Sequence, residues 1–316
     1  MNNYTPIVKI DNAMESCDLY VKREDLLPFY LGGNKVRIAY EFFSDMEHKD
    51  KDCMIGYGNI RSNLCRVLSN MAQAKGAKCC IITQKDDDDA QETFNSKIAR
   101  LCGSEIYETT KTDVANTVEH VFEICARQGY KPYYIYGDKY GKGNEATPVR
   151  AYVKVFEEIL CQEKEMGINF DYIFVATGTG MTQSGLIAGQ KVFGGNQKII
   201  GVSIARKKEQ VFSEIKRYLN AYSEEKEFEY SEEDIKIYDD YLCGGYGLFG
   251  QEEKDVIDES LLIHGMPMDT TYTGKAFWGM KKIVRELNLK NKKILFIHTG
   301  GTPLFYDNLQ NETKNG

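Results

Sequence analysis

A chain of 316 residues, 42% hydrophobic and 28% charged, has the length for two domains and the make-up of an ordinary globular protein, which excludes a fibrous or wholly disordered chain. Its net charge of -7, with Lys and Arg scattered among Asp and Glu, sets it against phosphate backbones and anionic lipid surfaces, so neither nucleic acid nor membrane is expected as a partner. No run approaches the roughly 18 apolar residues of a bilayer span, and residues 1–20 show neither the basic nor the apolar part of a signal peptide; a cytoplasmic location is expected.

Short apolar runs alternate with amphipathic segments along the chain. The runs at 53–57, 78–83, 104–107, 133–136, 171–176, 198–204 and 293–298 read as strands. Helical periodicity occupies 62–75, 90–102, 112–128, 148–166, 182–193 and 274–288. This alternation predicts an α/β protein of parallel sheets covered by helices on both faces. The four aspartates at 86–89 read as a solvated loop, since consecutive carboxylates point in different directions and imply no chelation. The segment 137–148 is rich in turn formers, and 223–234 is densely charged. The nine cysteines are odd in number, form no CxxC pair and sit mostly within apolar patterns; they read as reduced, packed thiols and not as a disulfide framework or metal site.

Four segments have the composition of ligand sites. Gly32-Gly33-Asn34-Lys35 places a lysine just after a glycine turn and at the start of a helical stretch, either reaching into a cleft or lying on the surface. Gly58-Asn59-Ile60-Arg61-Ser62-Asn63 ends one strand and opens a helix, so Ser62 is either an N-cap or a ligand contact. Thr177-Gly178-Thr179-Gly180-Met181-Thr182 also joins a strand to a helix; its unpaired N–H groups and the helix dipole suit a compact phosphate, although a plain Gly-rich turn has the same look. It is neither a P-loop nor GxGxxG, because no Lys follows and position 183 is Gln. The fourth is a C-terminal pair, Tyr272-Thr273-Gly274-Lys275 and His298-Thr299-Gly300-Gly301-Thr302, the latter at a strand's carboxyl end where parallel sheets bind ligands. Tyr246, after Gly244-Gly245 and before Gly247, is either structural or a site residue, His298 reads as a packing or hydrogen-bonding residue and Trp278 as a core one.

Together, and in this order, KREDL, GGNKVR, GTGTGMTQSGL, GGYG, YTGKA and HTGGTP resemble the pyridoxal-phosphate (PLP) enzymes of fold type II, in the branch of D-cysteine desulfhydrase and 1-aminocyclopropane-1-carboxylate deaminase. The likeness runs from about residue 20 to 306. It implies a tryptophan synthase β-like fold of two open parallel sheets, with residues 1–51 and 148–316 as a large PLP-binding domain, 52–147 as a small one, and the cofactor in the cleft. It implies a Schiff-base lysine at Lys35 that also moves protons, a phosphate cradle at 178–182 beside Thr177, Asn63 on the cofactor's phenolic oxygen and Thr299 facing the pyridine nitrogen. Ser62 would meet the substrate carboxylate or the leaving group, and Tyr246 or Tyr272 would lie near the substrate. A homodimer and a small amino-acid substrate follow from the same likeness.

A hydroxyl at Thr299 favours a neutral ring and the loss of a good β-leaving group. Thr273 stands where the cyclopropane deaminases have Glu, which favours a desulfhydrase-like lyase over the ring-opening deaminase, with a β-replacement synthase as the other reading. Arg61 and Leu64 replace the family's Gln and His. Arg61 either pairs with an extra acidic group of the substrate or faces solvent.

Overall fold

The computed structural model describes residues 4–29, 31–84 and 92–315, so the aspartate run at 86–89 lies outside the described residues. In chain order the elements are β1 (Ile7–Ile10), β2 (Asp18–Lys22), α1 (Asn34–His48), β3 (Cys53–Tyr57), α2 (Asn63–Lys75), β4 (Lys78–Gln84), α3 (Phe94–Leu101), β5 (Glu105–Thr109), α4 (Val114–Arg127) and β6 (Pro132–Tyr134). There follow α5 (Ala146–Met166), β7 (Tyr172–Thr177), α6 (Met181–Phe193), β8 (Lys198–Ser203), α7 (Lys208–Glu225), β9 (Lys236–Tyr238), α8 (Gln251–His264), α9 (Thr273–Glu286), β10 (Lys293–Ile297) and α10 (Thr302–Asn315). The chain divides into two compact units, Lys35–Thr147 and Met1–Asn34 with Pro148–Gly316.

The smaller unit holds a parallel sheet in the order β5-β4-β3-β6. Ile55, Cys80 and Ile82 on one face pack against Val118, Val121 and Cys125 of α4. Helix α1 groups here, whereas the sequence reading placed residues 35–51 in the other domain. The tie is polar: Tyr133 on β6 donates its hydroxyl to Asp45 at 2.7 Å, and Asn144 donates to the Tyr133 oxygen at 2.6 Å and to the Ile135 carbonyl at 2.9 Å. Three thiols well apart in sequence meet in this core, Cys53 and Cys80 each lying within 3.7 Å of Cys125 Sγ. Burial pushes the Cys125 thiol up to about 11, so it behaves as an apolar group.

The larger unit carries six strands in the order β1-β2-β10-β7-β8-β9. All pairings are parallel except that of β1 with β2, which adds an antiparallel edge to the expected parallel sheet. Phe174, Phe296, Val202 and Leu19 of the sheet pack against Phe277, Met280 and Val284 of α9. Strand β2 escaped the sequence reading because its last residue is a lysine that is wholly buried. Lys22 Nζ donates to Glu158 at 2.6 Å and Gln162 at 2.8 Å, both on α5, and to the Thr5 carbonyl at 3.2 Å. A buried ammonium with a full set of acceptors is tolerable where a bare one is not.

On the sheet's other side α6 lies almost backbone to backbone on α5. A Cβ at Gly185 would stand 2.7 Å from the Val149 carbonyl oxygen and 2.9 Å from Tyr152 Cα, and one at Gly189 would stand 3.1 Å from Val153 Cα. The two glycines, one helical turn apart, permit that approach. Gly185→Ala forces the helices apart at an overpacking cost of about 1–3 kcal/mol. A fall of several degrees in the thermal unfolding midpoint is expected, read by circular dichroism beside the solvent-exposed control Gly250→Ala.

Candidate active site

The turn between β7 and α6 opens a helix in a way that leaves donors unclaimed. Gly180, the residue before α6, has a φ of +86° and supplies no side chain, so no side chain caps the first N–H groups. The Thr177 hydroxyl is buried and has no hydrogen-bond partner among the described residues. An orphaned buried hydroxyl beside uncapped amides at the positive end of a helix dipole fits a bound phosphate group. Thr182 is also buried, with its hydroxyl already engaged.

The partner of Thr182 is Asn34, whose Nδ2 donates to it at 2.9 Å. The backbone N–H of Asn34 donates in turn to the Thr299 carbonyl at 3.0 Å. Gly33, at φ +64°, has no room for a side chain: a Cβ would overlap the Thr299 carbonyl oxygen and lie 2.8 Å from Gly300 Cα. Residues 33 and 34 are thus fixed to both strand-end loops of the large unit, and Lys35 is the next residue in the chain.

The Thr299 loop is itself supported. His298 is fully buried, and its Nε2 lies 3.0 Å from the Pro267 carbonyl, which can only accept; that nitrogen therefore carries the proton and Nδ1 accepts the Gly300 N–H at 3.3 Å. His298 is a packing residue, as its sequence position suggested. Asp269 accepts the N–H groups of Thr271, Tyr272 and Thr273 and the Thr273 hydroxyl, at 2.7–3.2 Å. The Thr273 hydroxyl is therefore turned onto Asp269. Burial pushes the Asp269 carboxyl upward, against the pull of these bonds.

Tyr246 and Tyr272, read from sequence as alternatives, form one pair. Their hydroxyls are 2.7 Å apart and the rings meet edge to face with centroids 5.8 Å apart. Tyr246 is half exposed. Two hydrogen-bonded phenols can hand a proton from one to the other, since each donates and accepts.

In the small unit, Lys35 lies in the first turn of α1 with partial solvent contact, yet burial of its amine lowers the pKa to about 8. Ser62 is the N-cap of α2, its Oγ accepting the Cys65 N–H at 3.1 Å. Asn63 is buried, and its amide oxygen accepts from Asn95 Nδ2 at 3.0 Å and from Arg66 Nη2 at 3.3 Å. Arg66 also donates to Asn95 at 2.6 Å, and Asn95 to the Arg61 carbonyl at 2.8 Å. With its oxygen occupied, the Asn63 amide has its NH2 end left to offer. Sequence reasoning missed Arg66 and Asn95; the available signal was Arg66 three residues beyond Asn63, on the same helix face. Arg61 is partly exposed, and the network takes its carbonyl.

The lysine reading has a direct check in the cofactor-free protein. A lowered pKa means that the neutral, reactive amine prevails above about pH 8. Trace reductive methylation of Lys35, followed by peptide mass spectrometry, is expected to level off above that pH, while exposed lysines keep accelerating toward about 10.4. A Lys35 profile that tracks the exposed lysines contradicts the burial.

A family model described as pyridoxal-phosphate dependent enzyme matches residues 2–300. A 1-aminocyclopropane-1-carboxylate deaminase of Mesorhizobium japonicum is 30% identical over 95% of this chain and 92% of its own length. One of Rhizobium rhizogenes is 29% identical over 95% and 92%. Among solved structures, a crystal structure of an ACC deaminase homologue superposes with a TM-score of 0.83 at 28% identity, over 97% of this chain and 93% of the other. Among the described residues, no helix is long and apolar enough to cross a membrane.

Proposed function

Because this chain belongs to the pyridoxal-phosphate dependent enzymes, we propose that it is a lyase or deaminase of a small amino acid, eliminating a β-substituent to leave an α-keto acid and ammonia. The observation that carries the reading is the double tie of Asn34 to the Thr299 carbonyl and the Thr182 hydroxyl, which fixes the backbone from which Lys35 extends.

When bound, PLP supplies the electron sink for charge released at the substrate Cα. The turn of Thr177, Gly178, Thr179, Gly180, Met181 and Thr182 is assigned to its phosphate, supported by the orphaned Thr177 hydroxyl and the uncapped α6. Asn63 is assigned to the phenolic oxygen, supported by the Arg66 and Asn95 bonds that leave its NH2 end to donate. Thr299 is assigned to the pyridine nitrogen, where a hydroxyl leaves the ring neutral. Lys35 is assigned to the Cα proton: an amine with a pKa of about 8 takes a proton and returns it near neutral pH. Ser62 and the α2 N-terminus suit the substrate carboxylate, and Arg61 suits a second acidic group if the substrate has one. The Tyr246–Tyr272 pair is assigned to protonating the departing group.

Elimination is favoured over cyclopropane ring opening by the Thr273 hydroxyl, which is spent on Asp269 and leaves position 273 without an acid. The relatives named above as deaminases keep ring opening as the second reading. A homodimer belongs to the proposal and is testable by light scattering; a cytoplasmic location belongs to it too, and nine free cysteines agree with a reducing compartment.

Lys35→Ala is expected to lose the yellow absorbance of the parent protein and all turnover. D- and L-amino acids with β-leaving groups, offered singly, should identify one that yields keto acid without a second nucleophile. Product appearing only as a new amino acid would select the replacement synthase, and keto acid from 1-aminocyclopropane-1-carboxylate alone would select ring opening. Arg66→Met is expected to weaken cofactor retention about tenfold or more by equilibrium dialysis, through loss of a charge-assisted bond to the Asn63 amide.

A further inference from the structure

The large unit contains a buried cation that the roles above leave unused. Lys275, on the first turn of α9, is wholly buried. Its Nζ donates to three backbone carbonyls: Ile204 just after β8 at 3.2 Å, Leu242 at 2.9 Å and Gly245 at 2.9 Å. Three carbonyl acceptors require three N–H donors, so the group is an ammonium and not a neutral amine. Glu253 on α8 is the nearby counter-charge: burial raises its pKa to about 7 and the Lys275 charge opposes that rise.

Two of the three carbonyls belong to the turn that delivers Tyr246. This turn is closed by two backbone bonds, the Gly245 N–H to the Leu242 carbonyl at 2.9 Å and the Leu248 N–H to the Gly245 carbonyl at 3.4 Å, and it carries Cys243 at φ +51°, Gly244 at +91°, Gly245 at +143° and Gly247 at +75°. Tyr246 follows the Gly245 carbonyl directly, and its partner Tyr272 stands three residues before Lys275. One ammonium therefore joins the turn bearing one phenol to the helix start bearing the other. We propose that Lys275 is a positioning residue, an internal monovalent cation in a cage of carbonyl oxygens that holds Tyr246 against Tyr272, and that the cage emptied of its lysine takes a small exogenous cation. This rests on the reading of the tyrosine pair as the proton donor to the leaving group.

The chain carries its own reporter. Trp278, the sole tryptophan, meets Tyr241 edge to face at 5.3 Å, and Tyr241 immediately precedes the caged turn. The experiment compares Lys275→Met, which keeps bulk without charge, with Lys275→Ala, which opens the cage. Each is read by cofactor absorbance, Trp278 emission with and without cofactor, and kcat and KM with the amino acid found above. Methylammonium, potassium and tetramethylammonium chlorides are titrated at constant ionic strength.

The proposal expects both variants to keep the cofactor absorbance and to shift the Trp278 emission. In both, kcat should fall roughly 10- to 100-fold, the scale of a misplaced catalytic group, with a smaller change in KM. Methylammonium or potassium should restore emission and kcat to Lys275→Ala saturably, and tetramethylammonium, too large for the cage, should not. Parent-like kcat and emission in Lys275→Met overturn it. So does folded Lys275→Ala that ignores every small cation, and so does failure of both variants to fold in all three salts, since the assigned role is confined to one turn. Tyr246→Phe separates the two readings. Full activity in that variant defeats the assignment of the tyrosine pair, while cation-dependent recovery of Trp278 emission in Lys275→Ala still decides the cage.

Discussion

Much of this molecule is arranged around the placement of one asparagine. Asn34 gives its backbone N–H to one strand-end loop and its side-chain amide to the other, so two loops from β10 and β7 agree on where a third segment runs. The agreement needs a glycine before it, because at Gly33 the Thr299 carbonyl occupies the space of a side chain. It also needs the Thr299 loop to be firm, which His298 provides with both ring nitrogens spent on backbone groups. Nothing in this support touches Lys35, yet the lysine backbone inherits its position from it. Pre-organisation of this kind suits the role proposed for Lys35, since orientation supplied in advance is not lost from the rate.

The same economy recurs in the polar groups that the fold buries. Lys22, Arg66, Asp269 and Lys275 are each buried, and each is met by several oriented partners. In each case a charge is used to hold main chain or amides in a single arrangement. Arg66 and Asn95 set which way round the Asn63 amide lies; Asp269 gathers the first turn of α9. Hydrophobic packing alone, which is indifferent to direction, would fix the distances between elements but not the facing of a donor or an acceptor.

The chain spells out some of this and hides the rest. The strands of both sheets with uninterrupted apolar runs were legible, as was a glycine-rich strand-to-helix turn at 177–182, whereas the spacing around Lys35 suited a surface lysine as well as a buried one. Strand β2 was not, since its buried lysine breaks the apolar pattern, nor was the three-residue β9. The antiparallel β1 was equally silent. Tyr246 and Tyr272 each looked ambiguous because their meaning lies in a hydroxyl contact across 26 positions of sequence. Glu253 sits in a run of charged residues, and only folding reveals that this one carboxylate is buried. Such residues are set by tertiary contact, and local pattern does not record which of several similar neighbours makes it.

The order of strands in the larger sheet has a consequence for how the molecule is made. β2, from the start of the chain, lies between β1 and β10, and β10 comes from its end. The smaller unit is one continuous stretch and can close as soon as it has left the ribosome, whereas the larger sheet stays incomplete until β10 is joined. At ordinary rates of synthesis the interval between Lys35 and Thr299 is on the order of tens of seconds. Through that interval the nascent chain exposes its lysine without the carbonyl that will fix the residue before it. The tie of Asn34 to the Thr299 carbonyl is thus made late, when β10 inserts beside β2.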